Sequence, residues 1–327
     1  MGRSRGILWR PTLAKAEVAA NRPTARRDRR LPPRWLAIIA AMSQPVPANV
    51  DFVVNVFERT YRRALAPGAL AALAAQQRFP FVRRVVLINN TVDAVDAERR
   101  AQRLLDAGEI DAYYRVADHL QQALGLTGLR REELEPLLHY SDGPLVAATL
   151  PGSPWFLYWD PEARLAQPLD WITPALKLID EDIRVIVANP SWEPPNPDGL
   201  RPGVEREAIF MRDGFAVGHG FSDQVFLARR AVLASPIYSQ RCIVSITYPG
   251  AHKATVFEAR VGAHMRHHGG LRATSLATTY VTDQDEGSSS YPPSGVVETG
   301  RLLINALTLR ALRASPWRPS CLRHSWL

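Results

Sequence analysis

The sequence predicts an α/β fold: a Rossmann-like, mostly parallel central sheet flanked by helices. Strand-like and helix-like segments alternate from Asp51 to Asn189. The first two predicted strands, 52–57 and 84–90, are separated by one helical segment, which is the spacing of a parallel βαβ unit. A later strand, 155–159, is apolar or aromatic throughout, as expected when helices cover both faces of a sheet.

Composition indicates a globular protein without a nucleic-acid partner. The chain has 327 residues, of which 46% are hydrophobic, so it can bury a sizeable core. Its formal net charge is +8, but residues 1–47 hold ten Lys or Arg against Glu17 and Asp28. That segment alone therefore carries +8 and the remaining residues sum to zero. The excess positive charge therefore lies in the N-terminal tail, and it gives little information about what the folded domain binds.

Three regions are predicted along the chain. Residues 1–47 are rich in Arg and Pro, and we expect a disordered basic tail. Met42 is an alternative start, while a transit-like peptide or an arm that touches acidic lipid ranks lower. Residues 48–285 are expected to form the folded domain. Residues 286–327 are rich in Ser, Pro and Arg, which predicts a poorly ordered tail.

The cysteines and the apolar runs favour an intracellular protein. Cys242 and Cys321 lie far apart in the sequence, so we expect neither a disulfide framework nor a cysteine-based zinc site. That pattern fits a reducing compartment. The apolar run 35–42 is too short to span a bilayer. The expected location is the cytoplasm, with peripheral attachment to a membrane as the alternative.

The elements of the first half follow from apolar periodicity and from glycine and proline. Pro67 is expected in the first turn of the first helix, and Gly125 and Gly128 separate two later helices. The predicted helices are 64–77, 92–110, 117–126, 131–138 and 171–182, and the other predicted strands are 113–116 and 183–188.

Beyond residue 188 the alternation weakens. Residues 189–202 contain five prolines and predict a long loop. Ser222 has the character of a helix N-cap, so 221–230 is expected to be a helix with Asp223 in its first turn. The remaining strands are expected at 208–211, 242–247 and 255–261.

Polar side chains follow three of the predicted strands. Arg59 comes after the first strand, Asn89 and Asn90 end the second, and Asp160 and Glu162 follow the apolar strand, which Pro161 terminates. Strand ends of this kind border the ligand crevice of open α/β sheets, and two carboxylates suit a hard divalent cation with bound phosphates. The alternatives are an ordinary Asp-Pro turn, an Asn-Asn turn and a surface arginine.

A histidine-rich segment, 262–270, is the other dense cluster. His264 and His268 would share a face of a helix, which suggests a zinc site. No cysteine or acidic residue lies nearby in sequence, and flanking glycines favour a polar loop instead.

These features in this order resemble the GT-A fold of nucleotide-diphospho-sugar glycosyltransferases, most nearly the family 2 type. The resemblance covers about residues 49–282. It rests on the polar first strand end, on Ile88-Asn89-Asn90, on the acidic triplet Asp160-Pro161-Glu162, and on Ser222-Asp223-Gln224 opening a helix.

The resemblance implies a role for each of these positions. The family's Asp-x-Asp motif, which holds a divalent cation on the donor's two phosphates, reads Asp160-Pro161-Glu162 here, with glutamate as a departure. A late histidine similar to His264 or His267 serves some members as a further metal ligand. Asp223 occupies the place of the base of inverting members, where a Glu-Asp pair is common. The implied nucleotide-binding residues are Phe57, Glu58, Arg59, Asn89 and Asn90.

The expected function is therefore a metal-dependent glycosyltransferase that uses Mg²⁺ or Mn²⁺. The implied donor is a nucleoside diphosphate sugar, with UDP as the expected nucleotide, and the acceptor is a hydroxyl of a glycan, lipid or small molecule. Inversion with an Asp base is the expected mechanism. The alternatives are a degenerate domain that binds a nucleotide or a partner without turnover, and a sugar nucleotidyltransferase. The candidates for stabilising the leaving diphosphate are Arg59, Arg212, Arg266 and Arg272.

Overall fold

The computed structural model describes residues 49–247, 253–282, 296–314 and 320–322. All of them belong to one compact unit, Met42–Leu327. The basic tail predicted for 1–47 lies outside the described residues. The predicted C-terminal tail is helical over Val296–Ala314, where Asn305 donates to the Ile246 carbonyl at 2.8 Å and Leu309 is buried.

The α/β class is confirmed, and within the described residues the central sheet contains ten strands. In chain order they are β1 Val50–Val56, β2 Arg83–Ile88, β3 Ala112–Arg115, β4 Trp155–Trp159, β5 Ala163–Leu165, β6 Val185–Ser191, β7 Ala208–Arg212, β8 Phe215–Gly218, β9 Val225–Arg229 and β10 Leu271–Thr282.

The sheet order is β3-β2-β1-β4-β9-β6-β10-β8-β7, with β5 pairing β10. The half β3-β2-β1-β4 is parallel, as predicted, and Val53 pairs with Val85 across β1 and β2. β6 and β10 are also parallel, whereas β9 runs antiparallel between β4 and β6. Every residue of β4 is buried, which agrees with its apolar sequence.

The helices flank this sheet. In chain order they are α1 Tyr61–Ala64, α2 Ala69–Gln76, α3 Ala94–Asp106, α4 Val116–Thr127, α5 Asp142–Thr149, α6 Ile172–Glu181, α7 Pro202–Glu207, α8 Arg230–Leu233, α9 Phe257–His268 and α10 Val296–Ala314. Short 3₁₀ helices lie at Arg131–Glu133, Leu138–Tyr140, Ile243–Thr247 and Ser320–Leu322. None of the described helices is both long and apolar enough to cross a membrane.

Several elements differ from the sequence prediction. The segment 64–77 begins its helix only at Ala69, because Gly68 caps it with a left-handed backbone, φ 78°, and Pro67 precedes it. Residues 131–138 form two 3₁₀ turns instead of a helix, since Pro136 between them has no N–H to donate. The helix α5 was not predicted.

The largest corrections fall in the second half. Residues 221–230 enter a strand, β9, and not a helix. Residues 255–261 and the histidine segment, predicted as strand and loop, form the helix α9. The strand predicted at 242–247 is a 3₁₀ helix. The apolar run of β9 was ambiguous because strand and helix look alike over so few residues.

The two cysteines are paired, contrary to the sequence prediction. Cys242 and Cys321 form a disulfide with their Cα atoms 5.9 Å apart. Their neighbours include buried Ala263 and Leu309, so the pair joins the C-terminal segment to the core around α9 and α10. The argument from cysteine use for a reducing compartment therefore fails.

A buried ion pair ties β1 to the segment beyond β9. Asp51 is fully buried, and its Oδ2 accepts from Arg230 Nη2 at 3.0 Å and from the Ser153 N–H at 2.9 Å. Arg230 also donates to the Ser153 carbonyl at 3.0 Å and to the Ala147 carbonyl. Gly152 passes so close that a Cβ there would lie 2.2 Å from Asp51 Oδ2.

We predict that Asp51→Ala destabilises the fold by about 3–5 kcal/mol, because it leaves the largely buried Arg230 guanidinium without its carboxylate. Denaturant unfolding measures the loss. The control is Lys177→Gln, which removes an exposed pair with Glu181 and should cost less than about 1 kcal/mol. Equal costs for the two variants would contradict the assignment.

Candidate active site

A cleft of about 570 Å³ opens at the carboxyl ends of β1, β2 and β4. This is the edge of a parallel sheet where ligands bind in open α/β folds. Its lining residues are Asn55, Phe57, Arg59, Asn89, Asn90, His139, Tyr140, Pro144, Tyr158, Asp160, Asp223 and Gln224. Six of the residues predicted for the site are among them: Phe57, Arg59, Asn89, Asn90, Asp160 and Asp223.

The pairing of β4 with β9 brings Asp160 and Asp223 to the same place. Trp159, the last residue of β4, pairs with Val225, the first residue of β9, and the strands are antiparallel. The Asp160 N–H donates to the Gln224 carbonyl at 2.8 Å. The strand that Asp160 follows therefore lies beside the strand that Asp223 precedes, although the two aspartates are far apart in sequence.

Asp160 sits in a turn at the strand end. Its Oδ1 accepts the Glu162 N–H at 2.8 Å, and its carbonyl accepts the Ala163 N–H at 2.9 Å. Burial raises the pKa of Asp160 to about 7, and the negative charges of Glu162 and Asp223 add to this rise. The hydrogen bond from the Glu162 N–H lowers the pKa and so opposes the rise. The carboxyl is thus held where a negative charge is costly without a cation.

The carboxyl of Asp223 interacts with that of a second acidic residue, Glu258. Burial raises the pKa of Asp223. Burial also raises the pKa of Glu258 well above its usual range, and the charge of Asp223 adds to that rise. The first turn of α9 packs here, since the Phe257 ring lies 5.5 Å from Phe221 and 6.1 Å from Phe226. Sequence reasoning missed Glu258, because its segment was predicted to be a strand.

Asn89 and Asn90 are held by a buried carboxylate that the sequence did not point to. Asp142 Oδ1 accepts from Asn89 Nδ2 at 2.8 Å, and Asp142 Oδ2 accepts from Asn90 Nδ2 at 3.2 Å. Oδ1 also accepts the Gly143 N–H at 2.7 Å. Burial raises the pKa of Asp142, while these three hydrogen bonds lower it. No motif marks this residue.

The wall next to Asp142 is packed against β1 and β4. A Cβ on Gly143 would lie 2.8 Å from the Tyr158 hydroxyl and 2.9 Å from Asn55 Oδ1. Burial raises the pKa of Tyr158 well above its usual range, and the charges of Asp160, Asp223 and Asp142 add to this. Tyr158 is therefore a neutral phenol among the three aspartates.

The loop after β1 contributes a positively charged side chain, Arg59, to the cleft. The loop is fixed by Thr60, whose Oγ1 accepts the Phe57 N–H at 3.0 Å. The Arg59 guanidinium lies 5.5 Å from the Phe57 ring centre. Burial raises the pKa of both Asp160 and Tyr140, and the positive charge of Arg59 partly opposes this rise. Glu58, predicted with them, is not a lining residue; it accepts the Val92 N–H at 2.7 Å and pairs with Arg62.

The other arginine candidates lie outside the lining of the cleft. Arg212 pairs with Glu181 and Asp213 on the outer strand β7. Arg272 donates to Glu207 at 2.7 Å and stacks over Trp192 at 4.4 Å. Arg266 is buried within α9. Arg59 is therefore the one candidate of the four that lines the cleft.

The predicted metal ligands are not gathered into one cluster. Among the described residues, no group of three or more His, Cys, Asp and Glu side chains is arranged to hold a metal ion. Glu162 does not line the cleft, although its charge acts on Asp160. His264 is buried in α9 with its ring 4.5 Å from that of His268, and burial lowers its pKa to about 3. Ligation by Glu162 and by His264 stays a prediction.

Comparison with known proteins gives similarities of structure only, since no family model and no curated protein matches. GalNAc-T7, crystallised with UDP, GalNAc and Mn²⁺, matches at 10% identity and a TM-score of 0.46 over 81% of this chain and 48% of that one. The chain thus spans about half the length of that structure.

Two further structures are similar. S. aureus TarS in complex with UDP matches at 12% identity and a TM-score of 0.38, over 71% of this chain and 59% of that one. A mycobacterial protein matches at 11% identity and a TM-score of 0.36, over 81% and 75%.

We predict that Asp160→Asn stabilises the fold at high pH. The carboxyl has a pKa of about 7 when folded and about 3.9 when unfolded, so above pH 7 the native state bears a charge that it accommodates poorly. In chelator-treated buffer at pH 8, the free energy of unfolding of the variant should exceed that of the wild type by on the order of 2–4 kcal/mol.

That gain should shrink as the pH falls from 7 towards 4, because the folded state becomes protonated first and the difference disappears only below the unfolded pKa. Denaturant unfolding of the variant and the wild type at several values between pH 5 and pH 8 measures it. A difference independent of pH would show that Asp160 is not the titrating group.

Proposed function

We propose that this protein is a glycosyltransferase that moves a sugar from a nucleoside diphosphate donor, with UDP as the expected nucleotide, to an acceptor hydroxyl. The observation that carries the proposal is the meeting of Asp160, Asp223 and Arg59 in one cleft at the ends of β1 and β4. A site that transfers a sugar from a diphosphate needs a ligand for a cation, a base for the acceptor and a positive charge for the leaving diphosphate, and these residues can supply all three.

The donor is expected to lie across the carboxyl ends of β1 and β2. Asn89 and Asn90 supply amide groups for a nucleobase, and Phe57 supplies an aromatic face beside them. Arg59 would approach the phosphates and stabilise the charge that develops on the leaving diphosphate.

A divalent cation fits the chemistry of the carboxylates. The Asp160 carboxyl is a hard oxygen ligand, and burial together with the charges of Glu162 and Asp223 makes its anion costly when no cation is bound. Mg²⁺ and Mn²⁺ commonly bind through one or two carboxylates, with substrate phosphates and waters completing the shell. In this proposal Asp160 holds the ion, Glu162 and His264 are further predicted ligands, and the ion neutralises the diphosphate when bound.

Asp223 is the proposed base. The acceptor oxygen attacks the anomeric carbon as the bond to the diphosphate breaks, and the hydroxyl proton passes to the Asp223 carboxylate. A single displacement of this kind inverts the anomeric centre. A raised pKa suits a base that works near neutral pH. Glu258 adjoins Asp223 but does not line the cleft, so it is the secondary candidate.

A second function is favoured by one observation. Asp160 Oδ1 is already used by the Glu162 N–H, and glutamate replaces the second aspartate of the motif, as expected of a domain that binds a nucleotide without turnover. A sugar nucleotidyltransferase is disfavoured, because the turn after β1, Phe57-Glu58-Arg59-Thr60, contains neither glycine nor lysine. The acceptor, a cytoplasmic location and contact with a membrane stay predictions.

We predict that Asp160→Asn weakens Mn²⁺-dependent UDP binding by at least about tenfold, because the carboxylate ligand is lost. Calorimetry with and without Mn²⁺ measures it. The matched control is Asp106→Asn, the same change at an exposed residue whose Oδ1 accepts from Gln102. If the Asp160 variant binds UDP and Mn²⁺ as the wild type does, the metal assignment is wrong.

We also predict that Asp223→Asn lowers kcat about 10²- to 10⁴-fold and leaves UDP affinity unchanged, because only the proton acceptor is removed. Donor turnover across a panel of acceptor alcohols measures the effect on kcat, and a UDP binding titration in parallel measures the effect on affinity. A larger loss in Glu258→Gln than in Asp223→Asn would transfer the role of base to Glu258. Nucleotide binding without any turnover by the wild type would favour the non-catalytic domain.

A further inference from the structure

The two asparagines of the cleft face the same buried carboxylate with their amide nitrogens. Asp142 Oδ1 accepts from the Gly143 N–H as well as from Asn89, and Oδ2 accepts from Asn90. A carboxylate offers acceptors only, so each amide must turn its N–H group towards Asp142. The orientation of both amides is therefore set by one residue.

The amide oxygens are left for a ligand. The nitrogen and oxygen of a planar amide point in different directions, so a group whose nitrogen faces Asp142 turns its oxygen away from it. Within the described part of the chain, neither Asn89 Oδ1 nor Asn90 Oδ1 accepts a hydrogen bond, while both residues line the cleft. This end of the cleft thus presents two acceptors.

Asp142 is itself held in place. It is the first residue of α5, and the preceding residue, Ser141, accepts the buried Phe257 N–H on its hydroxyl at 2.9 Å. Asn89 is anchored too, because its backbone N–H donates to the Val56 carbonyl at 2.8 Å. The direction of the amides is thus built into the junction of β1, β2, α5 and α9.

We propose that Asp142 is a positioning residue that makes this subsite select a nucleobase with a ring N–H, of the uracil type, over cytosine. The inference rests on the proposed function, since it assumes that the cleft holds a nucleoside diphosphate. Uracil carries a hydrogen on N3 and donates it to an amide oxygen. Cytosine has a lone pair on N3, which would face an acceptor and leave both atoms unpaired.

The first test compares UDP with CDP on the wild-type protein in the presence of Mn²⁺, by calorimetry. UDP should bind at least about tenfold more tightly, as expected when one buried hydrogen bond is replaced by two facing acceptors. Equal affinity for the two nucleotides overturns the inference. If neither binds, the proposed function fails as well, so the two failures are distinguishable.

The second test is Asp142→Asn. The Gly143 N–H and Asn89 still require an acceptor at Oδ1, so the new amide nitrogen must face Asn90, which then turns its own N–H towards the cleft. The preference for UDP should fall at least about threefold, mainly through tighter binding of CDP. The matched control, Asp96→Asn, changes a carboxylate that pairs with Arg99 and Arg100 on α3 and should keep the wild-type ratio.

Asn90→Gly provides an independent variant if Asp142→Asn does not fold. It removes one of the two amide oxygens, and glycine suits the backbone of this residue, φ 44°. The UDP preference should again fall. A folded Asp142→Asn or Asn90→Gly protein, verified by its thermal melting curve, that retains the full wild-type ratio of UDP to CDP affinity would overturn the role of Asp142.

Discussion

The antiparallel pairing of β4 with β9 is the constraint on which the site depends. It inserts a reversed strand next to a parallel half-sheet, so that the end of one strand and the start of the other meet at the same edge. The Asp160 N–H bond to the Gln224 carbonyl closes this junction. Two carboxyls that repel each other are thereby kept together by backbone hydrogen bonds and aromatic packing, at a cost in stability that a bound cation would offset.

The first half of the fold was predictable because its strands are buried on both faces. The apolar runs of β1, β2 and β4 suit the interior of a parallel sheet, and the polar residues that follow them are expected to gather at one edge of such a sheet. Arg59 and Asp160 were found in this way. Asp223 also lines the cleft, although the helix predicted around it is wrong, because the residues that follow it form the strand β9.

The second half was not predictable from local pattern. Helix α9 is buried on nearly every side, so its sequence lacks the apolar stripe that identifies a helix at a surface. Asp142 follows a 3₁₀ turn and matches no motif, and only the fold shows that it faces Asn89. The Cys242–Cys321 pair also depends on tertiary contact, because two distant cysteines carry no spacing signal.

Gly143 leaves no space for a larger residue beside the cleft. The backbone of α5 lies directly against the phenol of Tyr158 and the amide of Asn55, with no space for even a methyl group. A side chain there would displace the start of the helix, and Asp142 would move with it. The smallest possible residue at this position thus keeps two consecutive asparagines, directly after β2, aligned with a carboxylate that neither of them adjoins in sequence.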